Sequence, residues 1–213
     1  MPAPRLHSAL TSFSRSVADA RDLADEAHRW SIPPQPGARP QITLHRRDIL
    51  TEMAFLRAYT SWENFLENTF LLYLLGHKPP KGAPPRRFGF PPDSTAADEW
   101  CRDGKPYSKW NISDVQRRAN RWFKDGKPFT PALQSQRSRL EQLVTIRNAI
   151  AHKSTSVHDK FENLVRLELG NVPPNTSVGS FLMTLKPNAP TPSSFLEFYV
   201  GEMQRAAQTI VPK

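Results

Sequence analysis

Residues 41–78 read QITLHRRDILTEMAFLRAYTSWENFLENTFLLYLLGHK, a stretch without a proline. Ile49, Met53, Leu56, Phe70 and Leu74 fall on one stripe at helical spacing, and Phe55, Tyr59, Trp62, Leu66 and Tyr73 fall on another. A helix apolar on two faces sits centrally and touches neighbours on both sides. Gly76 is the expected C-cap, since glycine takes the left-handed backbone that ends helices. One long central helix makes the chain a helical protein, and the rest of the sequence is read around it.

Proline marks where the other helices can lie, because it breaks helix interiors. The 21 prolines leave further free windows at 5–32, 107–127, 132–172 and 193–211. In the first, Leu6, Leu10, Phe13, Val17, Ala20, Ala24 and Ala27 alternate steps of four and three, which is a helix seam. A Pro-rich linker to residue 40 follows it. Residues 77–106 carry six prolines between Pro79 and Pro92 and are expected to be an irregular insertion. Ser113-x-x-Gln116 has the form of a capping box opening a short helix with Val115, Ala119, Trp122 and Phe123. Thr130-Pro131 predicts the start of a helix through Leu133, Leu140, Leu143, Val144, Ile146 and Ile150. Leu167, Leu169 and Phe181–Leu185 suggest a small β-hairpin. Ser194-x-x-Glu197 predicts a cap for a last helix with Leu196, Tyr199, Val200, Met203, Ala207 and Ile210. The expectation is therefore one all-α domain over 1–213, an up-and-down bundle of four to five helices with a basic Pro-rich insertion.

Composition narrows the function. The chain has 213 residues, one domain's worth at about 150 per domain. Lys+Arg 29 against Asp+Glu 20 gives a net charge of +9, which favours an anionic partner, nucleic acid first. The charge is uneven: residues 1–75 are neutral, 76–127 carry 12 basic and 6 acidic groups, and 128–213 carry 9 and 6. The positive potential thus falls on the insertion and the next helix. There Arg117, Arg118, Arg121 and Lys124 stand beside Trp122 and Phe123. Arginine grips phosphate through a two-pronged fork and aromatic rings stack on unpaired bases, so these cations are candidate RNA contacts. A solvated basic face with its aromatics in the core is the competing explanation. Cys101 alone excludes an intramolecular disulfide and a cysteine-rich zinc site. The longest pure apolar run, Phe70–Leu75, is too short to span a bilayer. With no apolar leader segment near Met1, a cytoplasmic protein is expected. Asp103-Gly-Lys-Pro-Tyr-Ser108 recurs as Asp125-Gly-Lys-Pro-Phe-Thr130. It fits a turn leading into a helix cap used twice, or a pair of phosphate-contacting loops.

The segment that carries chemistry is Leu143-Val-Thr-Ile-Arg-Asn-Ala-Ile-Ala-His152. On a helix, Glu141, Thr145, Asn148 and His152 share a face, whereas Arg147 lies about 140° from His152. The Arg147-x4-His152 pattern, with polar Asn148 after the arginine, resembles the HEPN superfamily of helical ribonucleases. A second block, Ala58-Tyr-Thr-Ser-Trp-Glu-Asn-Phe-Leu-Glu67, is similar to the RiboL-PSP-associated branch of that superfamily. The resemblance spans roughly residues 41–211. It implies a metal-independent endoribonuclease without a cofactor, acting as a homodimer in which two motifs share one cleft. It further implies Arg147 and His152 as catalytic residues, with Asn148 orienting His152 or the phosphate. A role as toxin or phage-defence effector, with a cognate antitoxin or regulatory protein, is also implied.

The residue chemistry is compatible with this. RNA supplies its own nucleophile, the 2′-OH, and cleavage needs a base, an acid and positive charge on the phosphate. Histidine titrates near neutrality and can act as either acid or base. Arginine stays charged and stabilises the phosphorane-like state. Glu63, on a mostly apolar stripe, needs a partner, for which Arg147 is the candidate. Lys153 joins the cations proposed to bind RNA. The simpler explanation is an arginine that complements a helix dipole and a histidine that caps its carbonyls. Rival functions are a non-catalytic RNA- or nucleotide-binding module and a protein-interaction module using the seam of residues 6–27.

Overall fold

The computed structural model describes residues 6–102, 104–106, 108–189 and 191–213, and among these the protein is all-α. Five helices have 15 residues or more: α1 Leu6–Trp30, α2 Leu44–Leu74, α6 Arg137–Ala151, α7 Thr155–Leu169 and α9 Phe195–Ile210. Four are shorter: α3 Ser94–Arg102, α4 Ile112–Trp122, α5 Phe129–Gln134 and α8 Val178–Met183. None of the described helices is long and apolar enough to cross a membrane. The described residues form two compact units. Of these, unit 1 comprises the described residues within 6–15, 60–140 and 202–213, and unit 2 those within 16–59 and 141–201.

The seam of α1 is buried at every predicted position, none more than 2% exposed. The second stripe of α2 is likewise buried, as are Phe70 and Leu74 at the C-terminal end of the first, whereas its N-terminal end is open, with Ile49 43% and Met53 57% exposed. Gly76 ends α2 as expected, at φ +90°. Its N–H donates to Tyr73 O and the His77 N–H to Leu72 O. Arg87 adds a donor to the Leu74 carbonyl at 2.7 Å, so the insertion itself helps close this helix end. A Cβ at Gly76 would lie 2.7 Å from that guanidinium.

Four local expectations are corrected. The 77–106 insertion is not irregular throughout, since α3 follows the last of its clustered prolines. Asp93 Oδ1 accepts the Ala96 N–H at 2.9 Å and caps it. Helix α4 is capped by Asn111 rather than Ser113, with Asn111 Oδ1 accepting the Asp114 N–H at 2.9 Å. The helix expected from Thr130 is two helices, α5 and α6, divided at Ser135–Gln136, and Pro128 stands at the N-cap of α5. The expected hairpin is helical. Leu167 and Leu169 lie in α7, and Phe181 lies in α8 behind a reciprocal Ser177–Ser180 capping box. Among the described residues, the strand pairing there is an isolated bridge between Leu185 and Ser194. The Ser194–Glu197 box is present, with the Ser194 N–H donating to Glu197 Oε2 at 2.7 Å.

Each unit has an aromatic core. In unit 1, Phe70 meets Phe123, Phe129 and Trp110 at ring distances of 5.1, 5.0 and 5.6 Å. Also in unit 1, Phe13 meets Trp62 and Phe65 at 5.8 and 5.3 Å. In unit 2, Phe181 lies 5.7 Å from Phe161 and 4.3 Å from Phe195. Burying each such ring is worth about 1.5–3 kcal/mol. That exceeds the few tenths per residue by which strand and helix preferences differ, so packing overrides the β-prone run around Phe181.

Candidate active site

Arg147 and Asn148 lie in the last turns of α6, and His152 is the first residue beyond it. The His152 N–H still donates to the Asn148 carbonyl at 2.9 Å, so the helical hydrogen bonding carries one residue past Ala151. Arg147 is half-buried, and its Nη1 donates to Asn148 Oδ1 at 3.2 Å. The guanidinium has therefore swung toward the Asn148 side chain, which shares a helix face with His152.

Residues 152–154 form a short link, and extended Ser154 leads into α7. The brevity of this link sets His152 beside the first turns of α7. A cleft of about 320 Å³ opens there, lined by His152, Lys153, His158, Thr176 and Ser177 over apolar Phe161 and Val178. Its polar rim and apolar floor are what a ligand site requires. Arg147 and Asn148 are not among the described residues lining it. His158 is the residue that sequence reasoning passed over. It shares the cleft with His152, and its Nε2 lies 3.2 Å from Glu162 Oε1. The signal was present as a Ser154 helix start and an i,i+4 His158–Glu162 pair.

The α8 wall of the cleft is fixed to α2. Ser177 Oγ donates to Asp48 Oδ2 at 2.7 Å, and the Gly179 N–H donates to Glu52 Oε1 at 3.0 Å. A Cβ at Gly179 would lie 2.3 Å from the Asp48 carbonyl oxygen, so only glycine permits this approach. Burial pushes the Glu52 carboxyl above its usual range, and the Asp48 charge adds to that. The Gly179 N–H, His45 and Lys153 act in the opposite direction.

The remaining candidates lie in unit 1. Glu63 is half-buried on α2, flanked by Trp62 and Phe65, whose rings stack at 5.7 Å. The aromatic part of the Trp-Glu block is thus accounted for by core packing. Arg118 must be withdrawn as an RNA contact. It is 4% exposed, donates to the Lys109 carbonyl and lies 4.7 Å from the Trp110 ring centroid. Arg117 pairs with Asp114 at 2.7 Å, and Arg121 lies over Trp122 at 4.8 Å. Lys124 is exposed just beyond α4. Burial raises the Asp114 carboxyl less than Arg117 and Asn111 lower it, leaving it below its usual range. Cys101 is buried on α3 with its thiol pushed up to about 12 by burial, which makes it a packed side chain and not a nucleophile. In the repeated Asp-Gly-Lys-Pro segment, Asp125 and Gly126 form a turn with φ of 58° and 64°. Asp103 and Tyr107 of the first copy lie outside the described residues. No family model matches the chain, and no curated protein and no solved structure was found to resemble it.

Proposed function

We propose that the chain is a metal-independent endoribonuclease whose reacting groups are gathered at the cleft beyond α6. The observation that supports this most is the placing of two histidines and a lysine, His152, His158 and Lys153, on one exposed cleft. One imidazole takes the proton from the 2′-OH, whose oxygen attacks the adjacent phosphorus. The second imidazole gives a proton to the departing 5′-oxygen. The P–O5′ bond breaks as the P–O2′ bond forms, leaving a 2′,3′-cyclic phosphate and a 5′-OH. Lys153 offsets the charge that builds on the phosphate, and Arg147, held by Asn148 outside the cleft lining, is the catalytic arginine that the HEPN resemblance implies. The second imidazole is His158 of the same chain, or His152 of a second copy if the protein works as the homodimer that the HEPN resemblance implies. On that resemblance the enzyme acts in the cytoplasm as a toxin or antiviral effector held in check by a partner protein.

The test is one gel. Wild type, His152→Ala and His158→Ala are incubated with total RNA in EDTA, and fragment ends are mapped. Wild type is expected to cut and leave cyclic phosphate, and His152→Ala to lose about 10²–10⁴-fold in rate. A comparable loss in His158→Ala places the second proton-transfer group in the same chain; full activity there assigns it to a second copy. A folded wild type that cuts nothing, or a His152→Ala variant that cuts as well, sinks the proposal. One observation favours a second reading, a non-catalytic RNA-binding module: Arg147 is engaged with Asn148 and does not line the cleft. RNA retained without cleavage would support it.

A further inference from the structure

Unit 1 holds a second cavity that the ribonuclease reading does not use. Its volume is about 410 Å³ and its charged lining is Lys81, Arg86, Lys124, Lys127 and Asp125. Two short chain segments build it. The Phe88 N–H donates to the Trp122 carbonyl and the Lys124 N–H to the Arg86 carbonyl, both at 2.8 Å. These bonds flank the antiparallel bridge between Arg87 and Phe123. Alternation along paired strands then fixes the faces. Arg87 and Phe123 turn inward, to the end of α2 and to the core. Arg86 and Lys124 stand opposite one another on the outer face, and Phe88 opposite Trp122.

Two cations held directly across a bridge repel each other. Among the described residues, Lys81, Arg86 and Lys124 have no carboxylate partner. Asp125 is the single acidic residue of the lining and is 3.7 Å from Lys127. Lys81 comes from the Pro79–Pro85 run and Lys127 precedes Pro128, so proline restricts the backbone on both sides of the cavity. Phe88 and Phe90 follow Arg86 in the chain without lining the cavity, 63% and 68% exposed, and the Arg87 guanidinium lies 4.8 Å from the Phe90 ring centroid. Four cations against one carboxylate favour a phosphate, and Phe88, two residues from Arg86 on the same face of the bridge, offers a ring to a flat heterocycle. The volume lies within the range of small-ligand sites, about 300–1,000 Å³.

We propose that this cavity binds the phosphate of a nucleotide, with Arg86, Lys124, Lys81 and Lys127 as the phosphate contacts and Phe88 as the stacking surface. The nucleotide is either free or a unit of an RNA strand, and the proposal holds whether or not unit 2 cuts RNA. The test uses the full chain carrying His152→Ala, so that cleavage does not intervene, titrated calorimetrically with ADP and with a short oligouridine. The comparison protein also carries Arg86→Ala and Lys127→Ala, both at exposed positions, with its fold checked by thermal melting. Should that pair melt early, Lys81→Ala replaces it. Binding of ADP weakened about tenfold or more by the substitutions supports a site for free nucleotides. An equal loss confined to oligouridine supports a site for an RNA strand. Lys127→Arg with Arg86→Lys should restore most of either loss. Equal binding of both probes by the two proteins, or no binding of either probe to the parent, overturns the proposal.

Discussion

Helix α4 and the end of α6 carry similar residues and use them differently. On α4, Arg118 is buried against Trp110, Arg117 pairs with Asp114, and Arg121 lies over Trp122. Beyond α6, His152 and Lys153 are exposed and line a cleft. A run of cations in a sequence is therefore not yet an interface. What decides is how many carbonyls, carboxylates and rings lie within reach once the chain has packed. Near α4 there are several: buried Arg118 serves the fold, while exposed Arg117 and Arg121 are engaged at the surface by a carboxylate and a ring. The cations left over from that arrangement, such as Arg86 and Lys124, are displaced to the neighbouring turn.

The contrast can be broken first at Arg118. Arg118→Ala removes a buried donor from the Lys109 carbonyl and opens space against Trp110. It should destabilise the protein by about 2–4 kcal/mol, read from denaturant midpoints, with RNA affinity of the folded fraction unchanged. A stable variant with weakened RNA binding would return Arg118 to the interface and dissolve the comparison. Gly179→Ala comes next. It pushes a methyl into the Asp48 backbone and should cost about 1–3 kcal/mol. Because Ser177 and Val178 form a wall of the cleft, it should also slow RNA cleavage. Unchanged stability would mean that α8 is loosely held.

The smallest effect is expected from Glu52→Gln, which sharpens the description of the cleft wall. Glu52 has a raised pKa in the folded protein, so its protonated form is favoured there. Stability from this group is present below the unfolded carboxylate pKa and falls as pH rises through that value to the folded one. At neutral pH the ionised carboxylate is a net burden. Glutamine retains an oxygen for the Gly179 N–H and carries no charge. Glu52→Gln should therefore melt slightly higher than wild type at neutral pH, with the advantage vanishing in acid. A lower melting temperature at neutral pH would show that the charge-assisted bond to Gly179 outweighs burial.

The helices α1, α2 and α9 were legible because their signals are periodic and local, whereas the 15-residue α7 was not, its Leu167 and Leu169 being expected in a hairpin. The α1 seam, the two stripes of α2 and the Ser194–Glu197 box needed no knowledge of distant residues. The short elements were not legible for the converse reason. Around Phe181 the run is β-prone in isolation, and packing on Phe161 and Phe195 together with the Ser177–Ser180 cap makes it a helix. At α4 both Asn111 and Ser113 are suitable caps, and the Asn111 amide prevails by also bonding the Asp114 carboxylate at 2.8 Å. In the candidate site, Asn148 and His152 could be placed on one helix face from spacing alone. His158 could not, since its sharing of one cleft with His152 depends on the course of the non-helical link at residues 152–154. Nor could the burial of Arg118, which depends on Trp110 arriving from an irregular segment.

The bond from the His152 N–H to Asn148 carries a consequence for how this chain can vary in length. His152 is in phase with α6 although it lies outside it. One residue inserted between Asn148 and His152 would turn the imidazole about 100° around the axis and move it about 1.5 Å along it, out of the cleft. One residue inserted after His152 would leave its phase intact and only lengthen the path to α7. Among length variants of this chain, those within α6 should turn His152 out of the site, and those at residues 153–154 should keep His152 in phase while loosening its approach to α7.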